Sequence, residues 1–244
     1  MTRTLPTRYQ VVGRGLLGGG SQLLNVGAEA VNRALGLPGL VANLSGVESR
    51  KRLRVRAVIL SAPAEGEAGP AGGGPLASEE KVRDALCEAD EIFRREANTE
   101  LFWGDWPRIR TTRDPAPDYA LDVSCGTGSW TQDLGRAGAY FRKLLAAQDG
   151  NPSSTRSVVG YGEPIAVFVV RDVAGKAGCS LGPLSNYVTV DRVRGRLIAH
   201  ELGHCCGLWH VEDAGNLMRP AADSGAMTRA QRAVFRNSRH VTRR

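Results

Sequence analysis

Three of the four histidines of this chain lie within eleven residues of one another, and their spacing constrains the fold more than any other feature. They are His200, His204 and His210 in the segment LIAHELGHCCGLWHVEDAGNLMRP, residues 197–220. On an α-helix, His200 and His204 are four residues apart and project from the same face. Gly207 tolerates the left-handed conformation that ends a helix, so the chain can turn back and bring His210 to the same point. The spacing predicts a helix, a turn and three imidazoles that face one metal ion.

Glu201 directly follows the first of these histidines. With 3.6 residues per helical turn it lies about 100° round from His200, so it can flank a metal ion without being a ligand. Three imidazoles leave a fourth position open, as in catalytic zinc sites, whereas structural sites are closed by four protein ligands. We therefore expect one Zn²⁺ held by the three histidines, with Glu201 as the general base.

This segment resembles the metzincin zinc peptidases. Their extended zinc motif matches at His200, Glu201, His204, Gly207 and His210, and Met218 stands where their Met-turn methionine lies. The stretch from Gly203 to Pro220 is most similar to the matrixin branch. The resemblance implies a zinc-dependent endopeptidase that cuts peptide bonds with a metal-activated water. It also implies that Met218 forms an apolar base beneath the histidines and does not bind the metal.

The resemblance further implies a fold and a way of binding substrate. The fold is expected to be α+β, an α/β-type sandwich with a twisted, mostly parallel sheet, an antiparallel edge strand, an active-site helix, a Met-turn and a C-terminal helix. In this family an extended substrate pairs with the edge strand above the zinc. The substrate-binding residues implied here are Gly178, Cys179, Ser180, Leu181, Gly182, Arg219 and Pro220.

Several positions depart from the matrixin pattern. Val211 stands where matrixins usually carry Ser or Thr, and the last helix lacks their paired aspartates. No tyrosine follows Met218 closely, so the tyrosine ligand of the astacin and serralysin branches has no counterpart. His240 alone cannot form the structural three-histidine site of matrixins. Calcium is left open, although no Asp-rich loop argues for it. These differences favour a distinct, matrixin-related branch.

Hydrophobic patterning divides the chain into an N-terminal extension, residues 1–50, and a catalytic domain, residues 51–244. A helix is predicted over 21–36. Residues 1–50 are interpreted either as a removable or inhibitory pro-segment or docking element, or as a helix packed on the back of the domain, and the packed helix is favoured. The strands predicted for the catalytic domain lie over 52–61, 107–112, 119–124, 163–170 (buried) and 187–190, with a loop over 62–77 and an edge segment over 178–183. The predicted helices lie over 78–98, within 126–148, over 193–206 (the active-site helix) and from Thr228 onward. Ser78 is expected to cap the first of these helices, Asp191 or a neighbour to cap the active-site helix, and Gln231 to form a capping box with Thr228.

The five cysteines are odd in number and scattered, which does not suggest a disulfide framework. One bridge, for instance between Cys125 and Cys179, is left open. Cys87, on the helix over 78–98, is interpreted as an inert small hydrophobic residue, and Cys205 and Cys206 as packing residues rather than ligands, because they point to other sides of the helix than His204.

The net charge of +7 arises largely from basic runs at residues 50–56 and 236–244. We interpret the first run as the solvent side of a strand and the second as a frayed terminus, rather than as a nucleic-acid site. No apolar run reaches the ~18–20 residues of a membrane span. The N-terminus is a poor secretory signal, so the expected location is left open between family-like extracellular export, leaderless or effector export, and the cytoplasm.

The expected partner is a protein or peptide substrate, and a monomer is favoured. Two alternatives to a simple peptidase stay open. One is a zinc-holding protein-binding module without turnover, against which the presence of Glu201 argues. The other is a delivered protease effector or toxin, which shares the chemistry and differs in its biology.

Overall fold

The computed structural model describes residues 49–63, 73–102, 109–125, 135–148, 162–220 and 225–243. Within these ranges the protein is a mixed α/β structure with five α-helices and a mostly parallel sheet. The helices are α1 (Glu79–Ala97), α2 (Asp118–Leu121), α3 (Arg136–Gln148), α4 (Gly195–Cys205) and α5 (Arg229–Arg236). The strands are β1 (Lys51–Ser61), β2 (Thr99–Phe102), β3 (Ile109–Pro115), β4 (Asp122–Val123), β5 (Ile165–Val169), β6 (Asp172–Val173), β7 (Gly178–Ser180), β8 (Tyr187–Val190) and β9 (Val241–Arg243). The helix predicted over 21–36 lies outside the described residues.

Strand β1 is the centre of a seven-stranded sheet. Its first half pairs with β2 in parallel and with β9 antiparallel, and its second half pairs in parallel with β3 and β5. On the far side of β5 lies β8, also parallel, and β7 pairs with β8 antiparallel. Among the described strands β7 has no second partner, so it forms an edge. Strands β4 and β6 make a separate parallel pair.

Helices cover both faces of the sheet, which explains the continuous apolar run predicted as a buried strand. Along β5, Ile165, Val167 and Val169 enter a core that contains residues of α1, α4 and α5. The alternate residues Ala166 and Phe168 enter a second core with residues of α2 and α3. The prediction of a mostly parallel sheet with an antiparallel edge pair is therefore confirmed at the level of fold class.

Helix α1 begins and ends as its sequence predicts. The Ser78 side chain accepts a hydrogen bond from the backbone N–H of Lys81, and Asn98 adopts the left-handed conformation (φ 44°) that ends the helix. The predicted stripe of Val82, Leu86, Ala89 and Phe93 is buried. Phe93 also stacks on Phe235 of α5 with ring centroids 4.5 Å apart, which ties the last helix to the first.

The start of α4 differs from the prediction. Neither Asp191 nor a neighbour supplies a side-chain cap, and Arg194 occupies the N-cap position. Instead Glu88 of α1 accepts the Gly195 backbone N–H at 2.9 Å. A Cβ on Gly195 would lie 2.4 Å from the Cβ of Glu88 and 2.5 Å from the Ala85 carbonyl oxygen. Gly195 thus permits the close approach of two helices that fixes the position of α4.

The basic C-terminal run is not a frayed terminus, so that interpretation is wrong. Arg236 and Arg239 are fully buried, and β9 joins the sheet. The guanidinium of Arg236 donates to the carbonyls of Ala97, Asn98 (3.2 Å) and Ser49 (2.5 Å). These carbonyls lie at the end of α1 and beside β1, where a cation offsets the partial negative charge of a helix C-terminus.

Other local predictions need correction. Tyr119 lies in the short helix α2, and only Asp122 and Val123 of the predicted strand over 119–124 are extended. Cys87 is exposed rather than a packed hydrophobic residue, because it lies on the solvent face of α1. The disulfide left open by the sequence forms between Cys125 and Cys179. Cys205 and Cys206 are buried, as predicted.

Within the described part of the chain, none of the helices combines the length and the apolar character that crossing a membrane requires.

Candidate metal centre

Helix α4 and the turn after it bring the three predicted histidines together. His200 and His204 lie one turn apart on α4, and their Nε2 atoms are 3.2 Å apart. Gly207, with φ 88°, ends the helix as predicted and reverses the chain. The Nε2 atom of His210 then lies 3.2 Å from that of His200 and 3.0 Å from that of His204. The three imidazole nitrogens therefore converge on one point.

Backbone carbonyls determine which ring nitrogens carry the protons. His200 Nδ1 lies 2.8 Å from the Leu217 carbonyl oxygen, and His204 Nδ1 lies 2.8 Å from that of Leu208. A carbonyl oxygen only accepts, so each Nδ1 bears the hydrogen and each Nε2 presents a lone pair. Two lone pairs about 3 Å apart repel each other unless a cation lies between them. The group of His200, His204 and His210 could accordingly hold a metal ion.

Burial keeps the first two imidazoles neutral. Loss of solvent lowers the pKa of His204 to about 4 and also lowers the pKa of His200. Both rings are therefore unprotonated near neutral pH, which is the form that binds metals.

Glu201 lies beneath the first residue of β7. It is 5% exposed, and burial raises the pKa of its carboxyl group to about 8, an effect that the charge of Lys176 partly opposes. A Cβ on Gly178 would lie 2.8 Å from the Glu201 Oε1 atom and 3.0 Å from its Cγ atom. A residue larger than glycine at position 178 would therefore occupy the space that the Glu201 carboxyl group fills between β7 and α4.

Met218 is fully buried beneath α4, at the position predicted for it. A Cβ on Gly203 would lie 2.8 Å from the Met218 Sδ atom, so the turn that contains Met218 packs directly against the helix between His200 and His204. The same turn supplies the Leu217 carbonyl that orients His200. The packing of Met218 is thus linked to the orientation of a candidate ligand.

The turn is held by side-chain hydrogen bonds that the sequence did not predict. The Asn216 Oδ1 atom accepts the Met218 backbone N–H at 2.9 Å. Two further hydrogen bonds join the amide groups of Asn216 and Gln231, at 2.8 and 3.1 Å. Gln231 also completes the predicted capping box of α5 with Thr228. Arg196 donates to carbonyls of the turn, among them that of Leu217 at 3.1 Å.

The centre opens into a cleft of about 1520 Å³. Of the residues expected to bind substrate, Gly178, Cys179, Ser180, Leu181, Gly182 and Pro220 line this cleft, whereas Arg219 does not. Arg219 is partly buried in the turn, where its backbone N–H donates to the Asn216 carbonyl at 3.2 Å. The disulfide partner Cys125 and the cation Lys176 also line the cleft, although neither was predicted as a site residue.

Comparison with known proteins adds little to this geometry. No family model matches the chain, and no curated protein matches it. A solved structure titled "Structure of a chaperone-substrate complex" is similar over 72% of this chain, with 13% sequence identity and a TM-score of 0.42. The matched region spans only 29% of that structure's chain.

Proposed function

We propose that this chain is a zinc-dependent endopeptidase of the metzincin type. One observation carries the proposal: three imidazoles converge, with their Nε2 atoms within 3.2 Å of one another, beside a buried carboxyl group at the wall of an open cleft. The motif resemblance and the buried Met218 support it. Among the described residues the group comprises three histidines and no fourth protein ligand, which is typical of catalytic rather than structural zinc sites.

The residues present fit a zinc ion. Tetrahedral coordination with Zn–N distances of about 2.0–2.1 Å places ligand nitrogens about 3.3–3.4 Å apart, close to the separations of 3.0–3.2 Å among these Nε2 atoms. His200, His204 and His210 would hold the ion, and the carbonyls of Leu217 and Leu208 would orient two of the rings. A zinc ion bound there supplies Lewis acidity, which polarises a carbonyl group and lowers the pKa of water.

Glu201 is the proton carrier in this proposal. Burial favours its protonated form, and the positive charge of Lys176 favours its carboxylate form. It takes a proton from the attacking water and then gives the proton to the leaving amine. Gly178 lies directly against its side chain.

Strand β7 is the candidate platform for the substrate backbone. It pairs with β8 along one side, and its residues Gly178, Cys179 and Ser180 line the cleft. An extended peptide that adds to this edge would run past Glu201, because Glu201 contacts the first residue of the strand. Strand β7 would then both pair with the substrate backbone and contact Glu201, the residue that transfers the proton.

The test compares the purified full chain with its Glu201→Gln variant on a broad peptide library, with metal content measured for both. The proposal expects about one zinc per chain in each protein and a loss of cleavage of at least ~100-fold in the variant, since Gln keeps the shape of Glu but cannot accept the proton. Glu212→Gln is the matched control on an exposed carboxylate near the site, and it should cleave normally.

Two outcomes would contradict the proposal. Cleavage that survives a zinc chelator or the Glu201→Gln substitution would exclude the proposed mechanism. Zinc-loaded protein that cleaves no peptide in the library would favour a zinc-holding binding module instead.

A further inference from the structure

The two ends of the cleft differ in chemistry. The Ala177 carbonyl, just before β7, accepts the Asp191 backbone N–H at 3.1 Å, and Glu88 of α1 accepts that of Gly195, so the residue before β7, the first half of α1 and the start of α4 lie at one end of the cleft. Most of the charged lining residues are contributed by these segments: Lys81, Asp84, Glu88, Lys176, Arg192, Arg194 and Arg196. Both signs of charge are present there.

The opposite end of the cleft is lined by apolar side chains together with the imidazoles of His204 and His210. The Ser180 Oγ atom lies 3.3 Å from the Cys205 Sγ atom, so the end of β7 meets the C-terminal end of α4. Leu181 and Pro183 follow Ser180 along the cleft wall, and Leu208 and Trp209 follow the end of α4. At a rise of 1.5 Å per residue, this end lies about 15 Å along the axis of α4 from the charged end.

Trp209 lies at this end of the cleft, and packing within the protein does not explain the exposure of its side chain. Its side chain is 80% exposed, and within the described ranges no other large apolar side chain is exposed. An isolated surface tryptophan would be unremarkable in itself. Trp209, however, lines the cleft and directly precedes the candidate ligand His210.

The backbone on each side of Trp209 is fixed. Leu208 is buried, its N–H donates to the Gly203 carbonyl at 3.0 Å, and its own carbonyl accepts from His204 Nδ1 at 2.8 Å. Beyond His210, the Val211 N–H donates to the Met218 carbonyl at 3.3 Å. The indole is therefore presented from a fixed backbone, and a rigid aromatic surface of this kind loses little conformational entropy when a ligand covers it.

We propose that Trp209 is a specificity-determining residue that packs against an aromatic or large aliphatic side chain of the substrate, on the side of the scissile bond that lies toward the C-terminal end of α4. This inference rests on the proposed peptidase function and names its substrate class. The occupant is a peptide, because the apolar end is continuous with the edge strand β7 and the candidate metal centre.

The experiment uses the zinc-loaded full chain and fluorogenic peptides in which each position within three residues of the cut carries Phe, Leu, Ser or Asp in turn. Wild type is compared with Trp209→Ala, with the conservative Trp209→Phe and with the control Glu212→Ala, which changes an exposed residue outside the cleft lining. Wild type should prefer Phe or Leu over Ser by about 10-fold in kcat/KM at one position. Trp209→Ala should lose that preference mainly through KM, and Trp209→Phe should keep most of it.

Zinc content of each variant is measured in parallel, so that a damaged metal centre is recognised. A preference that is unchanged in Trp209→Ala, or a wild type that prefers Ser or Asp everywhere, overturns the inference while the peptidase function stands. A zinc-loaded wild type that cleaves none of the peptides overturns the proposed function itself.

Discussion

Replacing Asn216 by Ala tests whether the turn beneath α4 positions the metal centre. Asn216 is 2% exposed, and its amide group makes three hydrogen bonds, one to the Met218 N–H and two to Gln231. A buried N–H left without a partner costs about 1–3 kcal/mol, and the lost pairing with Gln231 adds about 1 kcal/mol. Gln231 keeps its bond to the Thr228 N–H, so the capping box of α5 survives.

We therefore predict that Asn216→Ala lowers the free energy of unfolding by about 2–4 kcal/mol. For a chain of this size that corresponds to a fall in Tm of about 5–15 °C. Because the turn supplies the Leu217 carbonyl that orients His200, zinc affinity should also fall, by about 10–100-fold.

Thermal unfolding of the metal-free proteins and a competitive zinc titration measure the two effects separately. Asn216→Asp is the control, since it retains an oxygen that can accept the Met218 N–H, and it should recover much of the loss. An alanine variant with a Tm within 1 °C of wild type and with unchanged zinc affinity would refute the role given to this turn.

Three further predictions concern other contacts of the described residues. Gly203→Ala places a methyl group 2.8 Å from the Met218 Sδ atom, so zinc affinity should fall in a competitive titration, whereas Gly215→Ala, whose nearest neighbouring atom is 3.6 Å away, should behave as wild type. Reducing the Cys125–Cys179 disulfide, or replacing both cysteines by Ser, should raise KM for peptides with little change in zinc content, because the bond holds β7 at the cleft; an unchanged KM would show that β7 keeps its place without it. Burial lowers the pKa of His240 to about 3, below the ordinary value of about 6.5, so the unfolded chain takes up a proton that the folded chain does not, and stability should fall as the pH drops from about 6.5 toward 3, by up to about 1.4 kcal/mol per pH unit. Urea unfolding of wild type and His240→Gln at several pH values measures this effect. The free energy of unfolding should depend less steeply on pH in the variant, and an identical pH dependence would contradict this assignment.

The features that were predictable from sequence depend on residues close together in the chain. The cap of α1 by Ser78 involves residues three positions apart, and so does the capping box between Thr228 and Gln231. The convergence of His200, His204 and His210 was predictable for the same reason, because a helix and one glycine turn determine their relative positions.

The features that were not predictable depend on distant partners. Glu88 caps α4 across a separation of 107 residues, and the disulfide closes a separation of 54. The tail was wrongly interpreted as frayed because a run of arginines is normally solvated, whereas Arg236 here finds carbonyl acceptors at the end of α1, 138 and 139 residues earlier. The order of neighbouring residues in the sequence does not indicate which distant residues will contact one another.

An open sheet edge is a risk as well as an opportunity, because a second copy of the same protein can join it and extend the sheet from one molecule into the next. Here β7 spans only Gly178–Ser180 before the chain enters the 3₁₀ turn Gly182–Leu184, and its middle residue is tied to Cys125. Three residues would be enough to pair with one short peptide, as the proposed function requires, and are too few to nucleate a fibril. The brevity of this edge thus limits irreversible self-association while it leaves the proposed pairing with a peptide possible.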